Sequence, residues 1–349
     1  MAMKIIGTGA ALPEKVLTNG DLEKIVDTTD QWIRERTGIV ERRIADETTA
    51  TSDLAADALV KACQQANVKP AELDAIIVAT STPDTIYPAT ACWVQKKLGL
   101  RGMVAFDVSA GCSGFLFALE IAVNLVRADA RKRIGVIGAE VMSKVVNWKD
   151  RATCVLFGDG AGAAILAGST GKAECGAESD PKQIQNPKSK IQNPFESGPL
   201  ASNWGSDGNL APLLYQPAGG TRVPFSEQVL HDMSHTVHME GNAVFKHAVR
   251  TMGDAAVRAM KDAGIGDTQV KLVIPHQANM RIMEAVRVRV GYPKEKQFEI
   301  IQKYGNMSAA TIPVALDEAR RAGRIQDGDI ILMTAFGTGF TWAASVWRW

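Results

Sequence analysis

Four short segments of this chain recur at a single ungapped spacing. Ala66-Asn67-Val68 returns as Ala263-Gly264-Ile265, and Ala75-Ile76-Ile77 as Leu272-Val273-Ile274. Phe117-Ala118-Leu119-Glu120 returns as Val314-Ala315-Leu316-Asp317, and Ile134-Gly135-Val136 as Ile331-Leu332-Met333; every pair lies 197 positions apart. Chance pairing of apolar residues does not hold one offset across four segments. The chain is therefore read as two copies of a helix–strand–loop–helix–strand unit. Two copies are too few for a solenoid. They make a duplicated fold of two packed halves, which suits 349 residues at about 150 residues per domain.

Within each copy, strand and helix signals alternate. Residues 75–80, 103–108 and 133–138 are short apolar runs bounded by turn residues, hence buried strands, with helices predicted over 90–98 and 113–128. The second copy repeats this with strands over 270–274 and 330–334 and helices over 280–290 and 309–322. That order predicts an α/β protein with a largely buried sheet. The halves are placed at 1–173 and 210–349. The stretch between them, 174–209, is polar and rich in Pro, Gly, Ser and Asn, and repeats Ile184-Gln185-Asn186-Pro187 as Ile191-Gln192-Asn193-Pro194. It reads as an inserted surface loop without chemistry.

Composition removes several function classes. Lys plus Arg is 39 against 38 Asp plus Glu, a net charge of +1, so no global basic field exists to hold nucleic acid. No apolar run reaches the ~18 residues of a membrane helix, and no signal peptide is expected from the opening residues. The five cysteines contain no CxxC spacing, so neither a disulfide framework nor a metal site is expected, and a cytoplasmic location is the simplest reading.

Three polar residues stand at equivalent places in the two copies. Cys112, in Ser109-Ala110-Gly111-Cys112-Ser113-Gly114, follows a strand and opens a long apolar helix. A helix N-terminus favours the thiolate, the nucleophilic form, although most free cysteines are merely small buried hydrophobes. His276 follows strand 270–274, the second copy's counterpart of the strand over 75–80, where a structural histidine is an equal alternative. Asn306 lies in Tyr304-Gly305-Asn306-Met307-Ser308, which alone would be a turn. The offset places Ala309 opposite Cys112, so Asn306 sits in the loop equivalent to that of the cysteine. His231, His235 and His238 lie in a polar segment with no ligand pattern around them. Gly7-Thr8-Gly9 and Gly158-Asp159-Gly160-Ala161-Gly162 lack dinucleotide-loop spacing, whereas Gly337-Thr338-Gly339 follows a strand and can present amides to an anion.

These motifs, with Gly7 to Pro13, Asp27 to Gly38, Gly158 to Ala163, His276 to Asn279 and Ala335 to Trp342, resemble the β-ketoacyl-[acyl-carrier-protein] synthase III family over nearly the whole chain outside 174–209. The resemblance implies the thiolase fold, a duplicated five-layered α-β-α-β-α arrangement. It also implies an acyltransferase of fatty-acid biosynthesis that joins a short acyl-CoA primer to malonyl-ACP, releasing CoA and carbon dioxide. In that reading Cys112 is acylated, His276 and Asn306 hold the enolate, and the amides of Cys112 and Thr338 form an oxyanion hole. Many members carry Gly where Thr338 stands, a change that keeps the backbone donor. Trp32, Arg36, Arg151 and Asn279 match CoA-binding positions, with Trp32 and Arg151 sandwiching the adenine. Met142, Phe157 and Phe336 match the acyl pocket. Tyr87 matches an aromatic that closes the partner's pocket in a homodimer, and its size leans toward short primers. Lys246, Arg281 and Arg289 match the patch that receives acyl carrier protein. No resident cofactor is implied. Two readings compete: a starter-unit synthase of a polyketide or alkylquinolone-type pathway, and a Cys-His-Asn thiol hydrolase.

Overall fold

A computed structural model describes residues 3–128, 132–168 and 197–349. Five strands make the first sheet: β1 (Met3–Ala11), β2 (Ala75–Ala79), β3 (Val104–Val108), β4 (Arg133–Val141) and β5 (Asp159–Gly168), in the order β1-β5-β4-β2-β3. Four more make the second: β6 (Gly198–Ser206), β7 (Val270–Pro275), β8 (Ile330–Gly337) and β9 (Thr341–Arg348), in the order β7-β8-β9-β6. The duplication extends to register. Ala75 pairs with Ile134 and Ile77 with Val136 in the first sheet, and Leu272 with Ile331 and Ile274 with Met333 in the second. In both pairs, the two residues 197 positions on are again partners.

Seven helices frame the sheets: α1 (Asp30–Thr37), α2 (Thr51–Gln65), α3 (Thr90–Lys97), α4 (Gly114–Arg127), α5 (Gly241–Ala263), α6 (Met280–Val290) and α7 (Thr311–Arg321). Successive side chains of a strand point to opposite faces, and the two faces here enter different cores. Ala75, Ile77, Leu272, Ile274, Ile331 and Met333 pack on α4 and α7 in a central core. Ile76 and Val78 face α2 and α3 on one outside, while Val273 and Leu332 face α5 on the other. Helix, sheet, helix, sheet, helix is the five-layered α-β-α-β-α order implied by the resemblance. Among the described residues no helix is long and apolar enough to cross a membrane, and no cluster of three His, Cys, Asp or Glu is placed to hold a metal ion.

One reading is corrected. The stretch 174–209, read as loop, contains strand β6, which pairs antiparallel with β9. β6 is the second sheet's counterpart of β1, since each lies at a sheet edge against the strand that closes its half. Its sequence, GPLASNWGS, lacks the apolar alternation that reveals a strand, because an edge strand whose side chains are only half-buried or exposed has little to bury. Its one aromatic, Trp204, is exposed and packs edge-to-face on Phe117 at 5.0 Å. The Ile184–Pro194 repeat lies outside the described residues, as does Cys175.

Candidate active site

The loops that carry Cys112 and Asn306 lead into the same ends of the two inner helices. β3 runs into a 3-10 turn, Gly111–Ser113, and α4 follows at once. The second copy places the turn Ser308–Ala310 before α7. The Ser113 and Thr341 hydroxyls close on the Ala110 carbonyl, each at 2.8 Å, and tie the Cys112 loop to the start of β9. Two glycines make that approach possible. A Cβ on Gly111, whose φ is +54°, would lie 2.5 Å from the Thr338 nitrogen, and one on Gly337 would lie 2.5 Å from the Cys112 nitrogen. The Cys112 and Thr338 amides are therefore neighbours. Each sits in the opening of a 3-10 turn, where N–H groups lack an intrahelical acceptor.

His276 is set by the end of β7, where its N–H donates to the Thr334 carbonyl at 2.8 Å. The following residue, Gln277, is fully buried; its amide donates to the Pro275 carbonyl at 2.7 Å and accepts from the Ile300 N–H at 2.9 Å. Sequence reasoning missed this brace, because a Gln beside a candidate His carries no signal of its own. The His276 Nδ1 lies 2.7 Å from the Thr311 hydroxyl, which leaves Nε2 to the cavity. Asn306 is held through its backbone: its N–H donates to the Leu156 carbonyl at 2.8 Å and its carbonyl accepts from Gly158 at 3.1 Å. Its Oδ1 accepts from the Ser308 N–H at 2.8 Å, so the NH2 group is the part left to donate.

Cys112, His276 and Asn306 all line one cavity of about 530 Å³, and they are 8%, 2% and 6% exposed. The Thr338 backbone position borders it too. Burial dominates the electrostatics. It pushes the Cys112 thiol up to about 12 and the His276 imidazolium down to about 3. The resting pair is thus thiol and neutral imidazole. This reverses the expectation that the helix terminus lowers the thiol: desolvation of the charged sulfur outweighs the dipole. Glu140 stands fully buried behind the cysteine, held by the Thr80 and Thr82 hydroxyls and the Ser81 N–H, and its carboxyl is raised by burial. Its field works against a thiolate at Cys112. One expected result follows. Alkylation of Cys112 by iodoacetamide in the free protein rises about tenfold per pH unit from pH 7 to 9, without a plateau, because the thiolate fraction grows tenfold per unit below the pKa. A plateau below pH 8 would show a lowered thiol.

Met142, Phe157 and Phe336 line the cavity as expected, and Phe336 stacks edge-to-face on Phe340 at 4.9 Å. Met239, Val244, Ala248 and Met252 complete an apolar wall that sequence reasoning did not name, since three of the four belong to the inner face of α5 and read as ordinary core. Tyr87 does not line its own chain's cavity; it is 85% exposed beside the equally outward Ile86. Trp32 and Arg36 reach the cavity rim. The Arg151 guanidinium lies 4.9 Å from the Trp32 ring centre. A flat base between two faces needs roughly 7 Å, twice a van der Waals contact, so Arg151 must lift for anything to enter. Asn279 borders the cavity, but its Oδ1 caps α6 by accepting from the Ile282 N–H at 2.9 Å. Lys246 and Arg281 are exposed near the mouth, with Arg281 packed 5.6 Å from the Phe245 ring centre. Arg289 differs: it pairs with Asp254 on α5 at 2.7 Å, which halves its value as a free cation. Arg250, one turn after Lys246, is exposed and has no ion-pair partner among the described residues; it was not picked out from sequence because a lone Arg on a helix is a common surface residue.

Comparison with known proteins follows this geometry. The profile of "3-Oxoacyl-[acyl-carrier-protein (ACP)] synthase III" matches residues 106–179, and that of its C-terminal region matches residues 260–349. The chain is 50% identical over 349 residues to a beta-ketoacyl-[acyl-carrier-protein] synthase III of Caldanaerobacter subterraneus subsp. tengcongensis, covering 100% of this chain and 98% of that one. Among solved structures, the 3-oxoacyl-[acyl-carrier-protein] synthase III of Aquifex aeolicus VF5 superposes with a TM-score of 0.86 at 46% identity, covering 99% of this chain and 100% of that chain. The priming beta-ketosynthase of the R1128 polyketide pathway superposes with a TM-score of 0.84 at 30% identity, covering 99% and 95%.

Proposed function

The chain belongs to the 3-oxoacyl-[acyl-carrier-protein] synthase III family, and from that membership we propose how its cavity divides the reaction. It is a condensing acyltransferase that initiates fatty-acid biosynthesis. The observation that carries the assignment of roles is the convergence of Cys112, His276, Asn306 and the paired Cys112 and Thr338 amides on one cavity.

Cys112 attacks the thioester of an acyl-CoA primer, passing its proton to neutral His276, and CoA leaves as a thiol. The ring that burial keeps neutral presents a lone pair to the thiol, and it holds the proton only until the departing CoA sulfur takes it. Malonyl-ACP then enters, and its thioester carbonyl receives hydrogen bonds from His276 Nε2 and Asn306 Nδ2. These stabilise the enolate left when carbon dioxide departs. The enolate carbon attacks the acyl-cysteine, whose oxyanion is held by the Cys112 and Thr338 amides. The sulfur leaves as thiolate and takes up a proton from solvent. Met142, Phe157 and Phe336 hold the acyl chain. Trp32, Arg36 and Arg151 hold the CoA adenine end, with Asn279 shaping the entry. The outward Ile86–Tyr87 pair supports a homodimer, in which Tyr87 closes the partner's cavity. The reading needs no resident cofactor and places the enzyme in the cytoplasm.

The test is a primer scan: acyl-CoAs of increasing length with malonyl-ACP as extender. Formation of 3-oxoacyl-ACP from a short primer is the expected result. Acyl-CoA hydrolysis without condensation would favour a thiol hydrolase instead.

Docking of the acidic carrier protein is assigned to Lys246 and Arg281, with Arg289 contributing less because Asp254 already holds it. Rim charges act mainly on association rate and its salt dependence. The Lys246→Glu, Arg281→Glu double variant is expected to raise KM for malonyl-ACP about tenfold and flatten its response to ionic strength, with acylation by acyl-CoA little changed. Unchanged malonyl-ACP kinetics would make this face an ordinary solvated surface.

A further inference from the structure

His276 is asked for opposite things in the two half-reactions just described. Its Nε2 must offer a lone pair to the Cys112 proton in the first and an N–H to the thioester carbonyl in the second. A neutral imidazole carries one proton, so each demand fixes what Nδ1 must do. With Nε2 bare, Nδ1 is a donor; with Nε2 protonated, Nδ1 is an acceptor. The group facing Nδ1 decides which state is available.

That group is the Thr311 hydroxyl, at 2.7 Å, the first residue of α7. Both residues are shut away from water, Thr311 at 0% and His276 at 2% exposure. No charged group contributes to the ring's shift; burial alone does. The Thr311 oxygen has a second contact, the Ser308 carbonyl at 3.1 Å. This pair of contacts gives two complete arrangements. In one, Nδ1–H donates to Oγ1 and the hydroxyl donates to the Ser308 carbonyl. In the other, the hydroxyl swings to donate to Nδ1. A carboxylate at this place would lock Nδ1 as a donor and favour imidazolium, and a backbone N–H would lock it as an acceptor. A hydroxyl serves both.

Resting on the reading above, we propose that Thr311 is a positioning residue that allows His276 to act as proton acceptor in acylation and as hydrogen-bond donor in decarboxylation. In acylation the Sγ–H proton moves to Nε2, the Sγ–acyl bond forms, the acyl–CoA bond breaks, and the Nε2 proton leaves on the CoA sulfur. The ring then takes up a proton from the cavity at Nε2 and releases its Nδ1 proton to the same cavity as it swings off Thr311, and it returns with Nδ1 bare while the Thr311 hydroxyl turns to donate to it. In decarboxylation the bond to carbon dioxide breaks and its electrons pass to the enolate oxygen, which Nε2–H and the Asn306 NH2 hold.

The experiment compares Thr311→Val, which keeps the shape and removes the hydroxyl, with Thr311→Ser, which keeps the hydroxyl. Acylation is read by label transferred from acyl-CoA in a single turnover, and decarboxylation by carbon dioxide released from malonyl-ACP. In Thr311→Val a buried Nδ1–H would lose its acceptor, and an unsatisfied buried donor is costly. The ring then favours the Nε2–H form. Acylation is expected to fall about 100-fold, the scale of one general base, while decarboxylation stays within about threefold. Thr311→Ser restores both. Parallel loss of both half-reactions, or wild-type rates for both in Thr311→Val, overturns the proposal. A readout on the unaltered enzyme stands whether or not the valine variant folds: nitrogen NMR of 15N-histidine-labelled protein should show His276 with Nε2 bare in the free enzyme and protonated after acylation of Cys112. One tautomer throughout overturns the proposal. If His276→Ala leaves condensation intact, the assignment of His276 itself fails; if it abolishes condensation while Thr311→Val shows no split, only the Thr311 role fails.

Discussion

Replacing Cys112 by Ser is expected to lower condensation by at least about 10³-fold, the scale on which loss of a covalent nucleophile is felt. Burial already pushes the thiol up to about 12, and an alcohol at the same place is far harder to ionise. The base that faces it is the buried His276 imidazole, which takes a proton from an alcohol less readily than from the more acidic thiol. The wild-type control is mass spectrometry after incubation with acyl-CoA alone. One acyl mass should map to the peptide holding Cys112 and to no other. Cys63 and Cys154 are buried away from the cavity, and both thiols are raised to about 11 by burial. Acylation at either, or a serine variant retaining a tenth of wild-type condensation, would remove Cys112 from the role of nucleophile.

The second large effect separates the half-reactions at Asn306. Asn306→Ala deletes one of two donors to the enolate oxygen and is expected to cost condensation about 10²–10³-fold, as loss of one oxyanion donor does elsewhere. Self-acylation from acyl-CoA should stay within a few-fold, because that step uses the Cys112 and Thr338 amides. Asn306→Asp should be worse than alanine, since a carboxylate beside a forming enolate repels it, although it still accepts from the Ser308 N–H. The measurement is label retained on the protein beside 3-oxoacyl-ACP formed. Equal loss of both steps in Asn306→Ala would contradict the role, and an aspartate variant better than alanine would show that the residue acts through the loop rather than through its NH2.

Much of the scaffold was legible because duplication writes long-range structure into local sequence. The 197-residue offset reports that Ile77 and Ile274, or Glu120 and Asp317, occupy the same kind of place without any contact being known. It also put Asn306 in the loop equivalent to that of Cys112, which no turn propensity would have done. Strand β6 escaped because its side chains are half-buried or exposed and its pairing is to a strand more than a hundred residues away. The Arg289 assignment was weakened by Asp254, a partner on another helix. Tyr87, matched by the resemblance to a residue that closes a partner's cavity, is exposed and does not line its own.

Residue types, spacing and internal repetition were enough to read a duplicated α/β fold and to single out Cys112, His276 and Asn306 as candidates at loop and strand ends, because helix and strand periodicities are local and the duplicated offset carries the rest; the resemblance supplied their proposed roles. Charge states were decided only by the tertiary structure. A cysteine at a helix start reads as activated until burial is counted, and burial depends on α4, α7 and both sheets closing around it. The partner of His276 Nδ1 was likewise decided by folding, since Thr311 stands 35 residues on and meets the ring only when α7 packs between the sheets.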